Sequence, residues 1–147
     1  MFNETPSGGP EHGEMLAILA RARPDRLKQH AENLLGELGD ITVLANRTGL
    51  VMVPMRDTVQ NVDFHLGEVL VSEAHITDPA GHVGYGMVTG RDLERAMAMA
   101  VIDLSVAVRG RDAASASFLA EEKAHLAHVE DERMRQVEAT RVEMETF

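Results

Sequence analysis

Residues 81–96, GHVGYGMVTGRDLERA, place four glycines and an Arg-Asp pair where the pattern predicts that a strand gives way to a helix. A glycine-rich junction of this kind can bind phosphate at the helix N-terminus. The spacing does not match the dinucleotide fingerprint G-x-G-x-x-G, because Thr89 stands at the third glycine position, and no G-K-[ST] occurs. The pattern therefore favours a structural role for the glycines over phosphate contact beside Arg91.

The two faces of this predicted strand differ in the size of their side chains. Gly84 and Gly86 share one face with Val88, whereas Tyr85 belongs to the other. A face that lacks side chains allows a helix or a foreign chain to lie unusually close. At the end of the junction, Thr89-Gly90-Arg91-Asp92 is predicted to form a capping box for the helix that follows, with Thr89 in the cap position.

Two other groups of residues could carry chemistry. His125 and His128 are three residues apart on a predicted helix, but no H-E-x-x-H signature is present, so we expect a solvated face and no metal site. Glu68 and Glu73 lie in an apolar run at an odd spacing, which predicts opposite faces of a strand and ion pairing rather than acid-base catalysis. We assign no catalytic residue to the chain.

The middle of the chain is predicted to be a four-stranded antiparallel meander. Arg47, Thr48 and Gly49 have the spacing of a hairpin turn between the first two strands. Pro54 lacks an N–H group and places the second strand at a sheet edge or a bulge. The four strands are residues 40–46, 49–55, 68–77 and 82–89.

Helices are predicted on both sides of the sheet in sequence order. A helical pair occupies residues 14–38, and a helix at 91–109 presents a wide apolar face to the sheet. The last helix, at 113–138, has a thin apolar stripe and is expected to reach a surface outside the chain. The fold class is therefore α+β, with N-terminal helices and two C-terminal helices flanking the sheet.

Composition narrows the possible partners and sites. The chain has 147 residues, a formal net charge of -10 and no cysteine. The acidic surface opposes binding to nucleic acid or to an anionic membrane, and the lack of cysteine excludes disulfides and thiolate-bound metal clusters. We expect a disordered tail at residues 1–11, one domain at 12–147, and a cytoplasmic location, since neither a signal peptide nor a membrane span is evident.

Four segments closely resemble the G subunit of the bacterial carbon-phosphorus lyase system. They match in order and spacing from about residue 14 onward. They are TGLVMV at 48–53, DFHLGEVLVSEA at 63–74, GYGMVTGRD at 84–92 and ATRVEMETF at 139–147. Two segments depart from that family: residues 57–63 are not glycine-rich, and 143–147 do not form an aromatic and basic tail.

The resemblance implies an organising subunit of a complex that degrades organic phosphonates for phosphorus. In that family, methylphosphonate displaces adenine from MgATP and yields alpha-D-ribose 1-methylphosphonate 5-triphosphate. The resemblance implies H, I and J subunits as partners, with an L subunit in this transferase step. MgATP is then a substrate of the whole complex, and no cofactor belongs to this subunit.

The resemblance also implies which residues shape partner interfaces or a shared ligand site. They come from three blocks of the sequence, to which we add the second glycine of the strand. They are Phe64, Leu66, Gly67, Glu68, Gly84, Tyr85, Gly86, Gly90, Arg91, Asp92, Thr140 and Arg141.

Two alternatives remain from other classes of function. A stand-alone nucleotide-binding enzyme would use the junction from Gly86 to Arg91, and the isolated chain would then bind MgATP. A homo-oligomeric binding module would instead pair its glycine-lined face with a second copy. We rank self-association last, because like charge on an acidic surface opposes it.

Overall fold

A computed structural model describes residues 11–145, apart from the side chains of His65 and of residues 142–145. The predicted tail, residues 1–11, lies outside the described residues except for Glu11, which directly precedes the first helix. The predicted N-terminal helical pair is confirmed as α1, His12–Ala20, and α2, Pro24–Leu38. Pro24 occupies the first turn of α2, where its missing N–H group breaks no helical hydrogen bond.

The sheet contains three antiparallel strands in the order β1-β2-β3, namely Thr42–Asp57, Val62–Thr77 and Val83–Thr89. The antiparallel meander is confirmed, but the count of four strands is wrong. Arg47 pairs with Glu73, and Gly49 pairs with Val71, inside one continuous strand. The predicted hairpin turn at residues 47–49 therefore does not exist.

The turn between β1 and β2 lies further along the chain, at residues 58–61. The Asp57 carboxylate accepts a hydrogen bond from the Val59 N–H at 2.9 Å, and Asn61 adopts a left-handed φ of 56°. Asp and Asn stabilise turns in these two ways without a glycine. The hairpin forms here because these side chains close the turn, while Arg47 lies within β1 and forms an ion pair with Glu73 on the neighbouring strand.

The helix α3, Leu93–Arg109, packs across one face of the sheet and contributes more residues to the core than any other element. Its central residues are almost all small or apolar and are buried, as the predicted wide apolar face requires. The last helix, α4, is Ala113–Glu145, and the Asp112 carboxylate accepts a hydrogen bond from the Ser115 N–H at 2.8 Å. Both C-terminal helices and the α+β class are confirmed. Within residues 11–145, no helix is both long and apolar enough to cross a membrane.

Candidate partner interface

The β1–β2 hairpin extends well past the end of β3. The pairing of β3 with β2 ends at Thr89 opposite Val71, and the Gly90 N–H donates to the Leu70 carbonyl at 2.8 Å. Beyond that point β1 and β2 pair only with each other, among the residues that the structure describes. We call residues 50–69 the hairpin arm.

The hairpin arm exposes many large apolar side chains. Val59 at its tip is 90% exposed and Leu66 is 64% exposed. A two-stranded hairpin without a third strand is only marginally stable in water, and large exposed apolar patches are typical of surfaces that bind a partner. The other exposed apolar side chains of the arm are Leu50, Val51, Met52, Met55, Val62 and Phe64.

The second half of α4 is a helical counterpart to the hairpin arm. All residues from 127 to 141 are exposed, and we call this segment the helix arm. Val129, Met134 and Val137 are the large apolar side chains within it, each about half exposed. The prediction that this helix has a thin apolar stripe and leaves the body of the protein is consistent with this exposure.

An ion pair fixes the base of α4 to the turn between α1 and α2. The Glu122 side chain is fully buried and accepts hydrogen bonds from the Arg23 guanidinium at 2.5 and 3.2 Å and from the Arg23 backbone N–H at 2.9 Å. Burial raises the pKa of Glu122, but the hydrogen bonds from Arg23 outweigh burial and leave this pKa below its ordinary value. A buried charge pair therefore links the base of α4 to the turn between α1 and α2.

The two glycines of β3 allow α3 to lie against the sheet. A Cβ atom on Gly84 would lie 2.3 Å from the Ala100 carbonyl oxygen, and one on Gly86 would lie 2.1 Å from the Ala96 carbonyl oxygen. This geometry favours close backbone approach, and the helix that approaches belongs to the same chain. The alternative in which the glycine-lined face pairs with a second copy is wrong, because α3 already covers that face.

The junction after β3 is held by hydrogen bonds within the chain. The Ser72 hydroxyl donates to the Gly90 carbonyl at 2.7 Å and accepts from the Asp92 N–H at 2.8 Å. Asp92 is the N-cap of α3, and its carboxylate accepts from the Arg95 N–H at 3.0 Å. The predicted capping box at residues 89–92, which has Thr89 in the cap position, is therefore wrong in its cap residue. A carboxylate thus occupies the helix N-terminus where a phosphate would bind, while Arg91 is exposed.

Tyr85 belongs to a polar cluster on the sheet face opposite α3. Its hydroxyl donates to Glu73 at 2.5 Å, and Arg47 donates to the same carboxylate at 3.0 Å. Burial and the neighbouring Glu73 charge raise the pKa of Tyr85 to about 12, while the Tyr85 and Arg47 hydrogen bonds lower the pKa of Glu73. Ion pairing of Glu73 is confirmed. Sequence reasoning missed Arg47, because it placed this residue in a turn.

The predicted interface residues lie on three different elements. Phe64, Leu66, Gly67 and Glu68 are exposed on the hairpin arm. The glycine block is built into the β3–α3 junction. The last block is on the helix arm, where the Thr140 hydroxyl donates to the Gln136 carbonyl at 3.0 Å and Arg141 is exposed. Its remaining residues, from 142 onward, lie outside the part whose side chains are described.

Sequence reasoning missed the contribution of β1 to the hairpin arm. Leu50, Met52 and Met55 are 46 to 64% exposed, although their run of apolar residues predicted a packed strand. The available signal was the lack of apolar-polar alternation, which fits a strand covered on both faces.

The sequence predicted a solvated face and no metal site at His125 and His128. The described residues contain no cluster of three or more His, Asp or Glu side chains that could bind a metal ion.

Comparison with known proteins gives two matches that span the chain. The family model described as "Phosphonate metabolism protein PhnG" matches residues 11–147. A protein of Rhizobium meliloti (strain 1021), "Alpha-D-ribose 1-methylphosphonate 5-triphosphate synthase subunit PhnG", is 31% identical over 142 residues, which are 96% of this chain and 90% of the relative. The family match includes the hairpin arm, the glycine-bearing strand and the helix arm.

Proposed function

The chain belongs to the PhnG family of phosphonate metabolism proteins, and from this membership we propose that it organises a multi-subunit complex without carrying out the chemistry itself. The proposed complex makes alpha-D-ribose 1-methylphosphonate 5-triphosphate, the product named for the Rhizobium meliloti relative. Methylphosphonate displaces adenine from MgATP in this transferase step of phosphonate catabolism. The chain acts with H, I and J subunits in the cytoplasm, and an L subunit joins for the transferase step.

The observation that carries this proposal is the exposed apolar surface of the hairpin arm. Leu66 is 64% and Phe64 is 46% exposed, and both belong to the same resembling segment. The net charge of -10 makes copies of the chain repel one another, so self-association does not account for the apolar residues on the projecting hairpin. These residues fit a surface that a different protein covers. The helix arm adds a second such surface, and the ion pair of Glu122 with Arg23 anchors the base of its helix.

The stand-alone nucleotide-binding enzyme is not favoured by the geometry. The glycines of the junction lie under α3, and the Asp92 carboxylate occupies the helix N-terminus. A nucleotide phosphate would have to replace that carboxylate and overcome the acidic charge of the chain. Calorimetry of the isolated chain with MgATP separates this alternative from the organising role.

We expect the double variant Phe64→Ala/Leu66→Ala to assemble at least about tenfold more weakly with the co-expressed H, I and J subunits, since buried aromatic and aliphatic anchors dominate interface energies. The isolated variant should keep its thermal midpoint, because both side chains are exposed. The measurement is affinity co-purification followed by titration. A strain that carries the variant should also grow more slowly with methylphosphonate as the only phosphorus source.

The matched control is Val83→Ala, which truncates an apolar side chain that is 45% exposed at the start of β3, outside the hairpin arm. It should leave both assembly and growth unchanged. The proposal is wrong if the wild-type chain co-purifies with none of these subunits, or if a strain without the chain still grows on methylphosphonate.

A further inference from the structure

The outer edges of β3 and β1 are protected against the addition of another strand. On the outer edge of β3, the Tyr85 N–H donates to the buried Asp103 carboxylate at 2.9 Å, and the other oxygen of that carboxylate lies 2.7 Å from His12 Nε2. On the outer edge of β1, Pro54 lacks an N–H group, and the extra residue Leu44 interrupts the pairing with β2 between Val43 and Ala45. Proline, bulges and covered edges are the means by which proteins prevent unwanted strand pairing.

A third edge belongs to β2 in the hairpin arm. It has a bulge at Leu66, where Val53 and Pro54 pair with Gly67 and His65, but residues 62–70 contain no proline, and the pairing of β2 is regular from Gly67 to Leu70. β3 stops beside Leu70, where the Gly90 N–H meets the Leu70 carbonyl at 2.8 Å. Gly90 has a left-handed φ of 89°, and from there the chain turns away into α3. Residues 62–69 of β2 therefore face the space that lies directly beyond the end of β3.

The direction of the main-chain groups follows from the pairing. In an antiparallel strand, alternate residues direct both the N–H and the C=O group to the same neighbouring strand. Since the Leu70 carbonyl points to the β3 side, the main chain of Glu68 points to that side as well. Glu68 is exposed, and the pairing of β2 with β3 ends at Val71, so no described strand lies opposite the N–H and C=O groups of Glu68 on that side.

We propose that an extended segment of a partner protein adds to β2 along residues 62–69, in line with β3, as a fourth strand of the sheet. The proposal rests on the organising function above and specifies how one partner is held. Strand addition supplies affinity through main-chain hydrogen bonds, and alternate side chains supply specificity. The exposed apolar residues Phe64 and Leu66 then receive the apolar side chains of the added strand.

Charge identifies the occupant as a different, basic protein segment. The two side chains of residues 62–69 that are charged at neutral pH, Asp63 and Glu68, are both acidic, and Arg56 already pairs with Asp63 at 3.2 Å. A second copy would bring like charge to a chain of net charge -10, and like charges opposite each other destabilise strand pairs. A lysine or arginine opposite Glu68 has the required complementarity.

The test compares Glu68→Pro with Glu68→Ala in the co-expressed complex. Both variants remove the carboxylate, but only proline also removes the N–H that faces the added strand. We expect the proline variant to bind its partner subunits at least about tenfold more weakly than the alanine variant. Proline removes one main-chain hydrogen bond to the added strand and disturbs the local strand geometry, and together these losses account for a difference of this size. Glu68→Lys should also bind more weakly than Glu68→Ala.

Residue-resolved hydrogen exchange keeps the test decisive if the proline variant does not fold. In the wild-type complex, the Glu68 amide should exchange at least about tenfold more slowly than in the isolated chain, since it becomes hydrogen-bonded. Equal binding of the proline and alanine variants, or unchanged exchange at Glu68 in an assembled complex, overturns strand addition but leaves the organising function intact. A stable dimer of the isolated chain formed through this edge overturns the assignment to a basic partner. Failure of the wild-type chain to assemble overturns both proposals.

Discussion

Gly86→Val is expected to lower the free energy of unfolding by about 3 kcal/mol or more, at the upper end of the range for overpacked cores. Any Cβ atom at this position would lie 2.1 Å from the Ala96 carbonyl oxygen and 3.0 Å from the Ala100 backbone nitrogen. Both atoms belong to the backbone of α3, which cannot rotate away as a flexible side chain can. The helix has to move off the sheet, and this movement opens the core.

The matched control for this substitution is Gly49→Val. Gly49 also lies in a strand, but a Cβ atom there would meet no atom within 4 Å, and valine favours strand geometry. We expect a change of no more than about 0.5 kcal/mol. Urea unfolding followed by circular dichroism measures both variants in the isolated chain. Equal stability of the two variants would contradict the close approach of α3 to β3.

Glu122→Gln is expected to destabilise the isolated chain by about 3 kcal/mol, the lower end of the range for breaking a buried ion pair. Glu122 is fully buried, whereas the Arg23 side chain is 37% exposed and can regain water when its partner loses charge. That partial exposure argues for the lower end of the range. Glutamine keeps the shape of the side chain, so the variant reports on charge and hydrogen bonding rather than on a cavity.

The effect of Glu122 should depend on pH in a defined direction. The pKa of Glu122 is lowered in the folded chain, so its contribution is fully present above the ordinary value of 4.5 and is lost as pH falls through the lowered value. The stability difference between wild type and Glu122→Gln should therefore be constant near neutral pH and shrink below about pH 4.5. Urea titrations at several pH values between neutrality and the acid transition measure it.

Glu121→Gln provides the control on the same turn of the helix. Glu121 pairs with Arg26, but both side chains are about half exposed. Exposed ion pairs contribute between about 0 and 1 kcal/mol, so this variant should be close to wild type throughout the pH range. A loss as large as that of Glu122→Gln would show that the buried environment of Glu122 is not what gives the pair its strength.

The sequence predicted the parts of the fold that local chemistry determines. The glycine-lined face of β3 and the beginning of a helix soon after it follow from short patterns whose physical meaning is local. The strand count failed at residues 47–49, because a glycine between two apolar runs signals a turn only if the flanking residues pair with each other. Arg47 instead pairs with Glu73, a residue 26 positions away, which no local pattern reveals.

The candidate interface was predicted only in part, for a related reason. Phe64, Leu66 and Glu68 were selected through resemblance, and they do lie exposed on one projecting element. Their exposure depends on the early end of β3 at Thr89, which leaves the hairpin arm without a third strand. Where a neighbouring strand stops is a tertiary property, so the open edge of β2 could not be read from the residues that form it.

Methionine oxidation footprinting tests the central claim most directly, because the chain carries its own internal controls. Met52, Met55 and Met134 are 46 to 58% exposed on the two arms, whereas Met15 and Met99 are at most 3% exposed in the core. Oxidation of the arm methionines should be fast in the isolated chain and at least about tenfold slower in the assembled complex, while the core methionines stay protected in both. If the arm methionines oxidise at the same rate in the complex as in the isolated chain, the arms are not the surfaces that partner subunits cover.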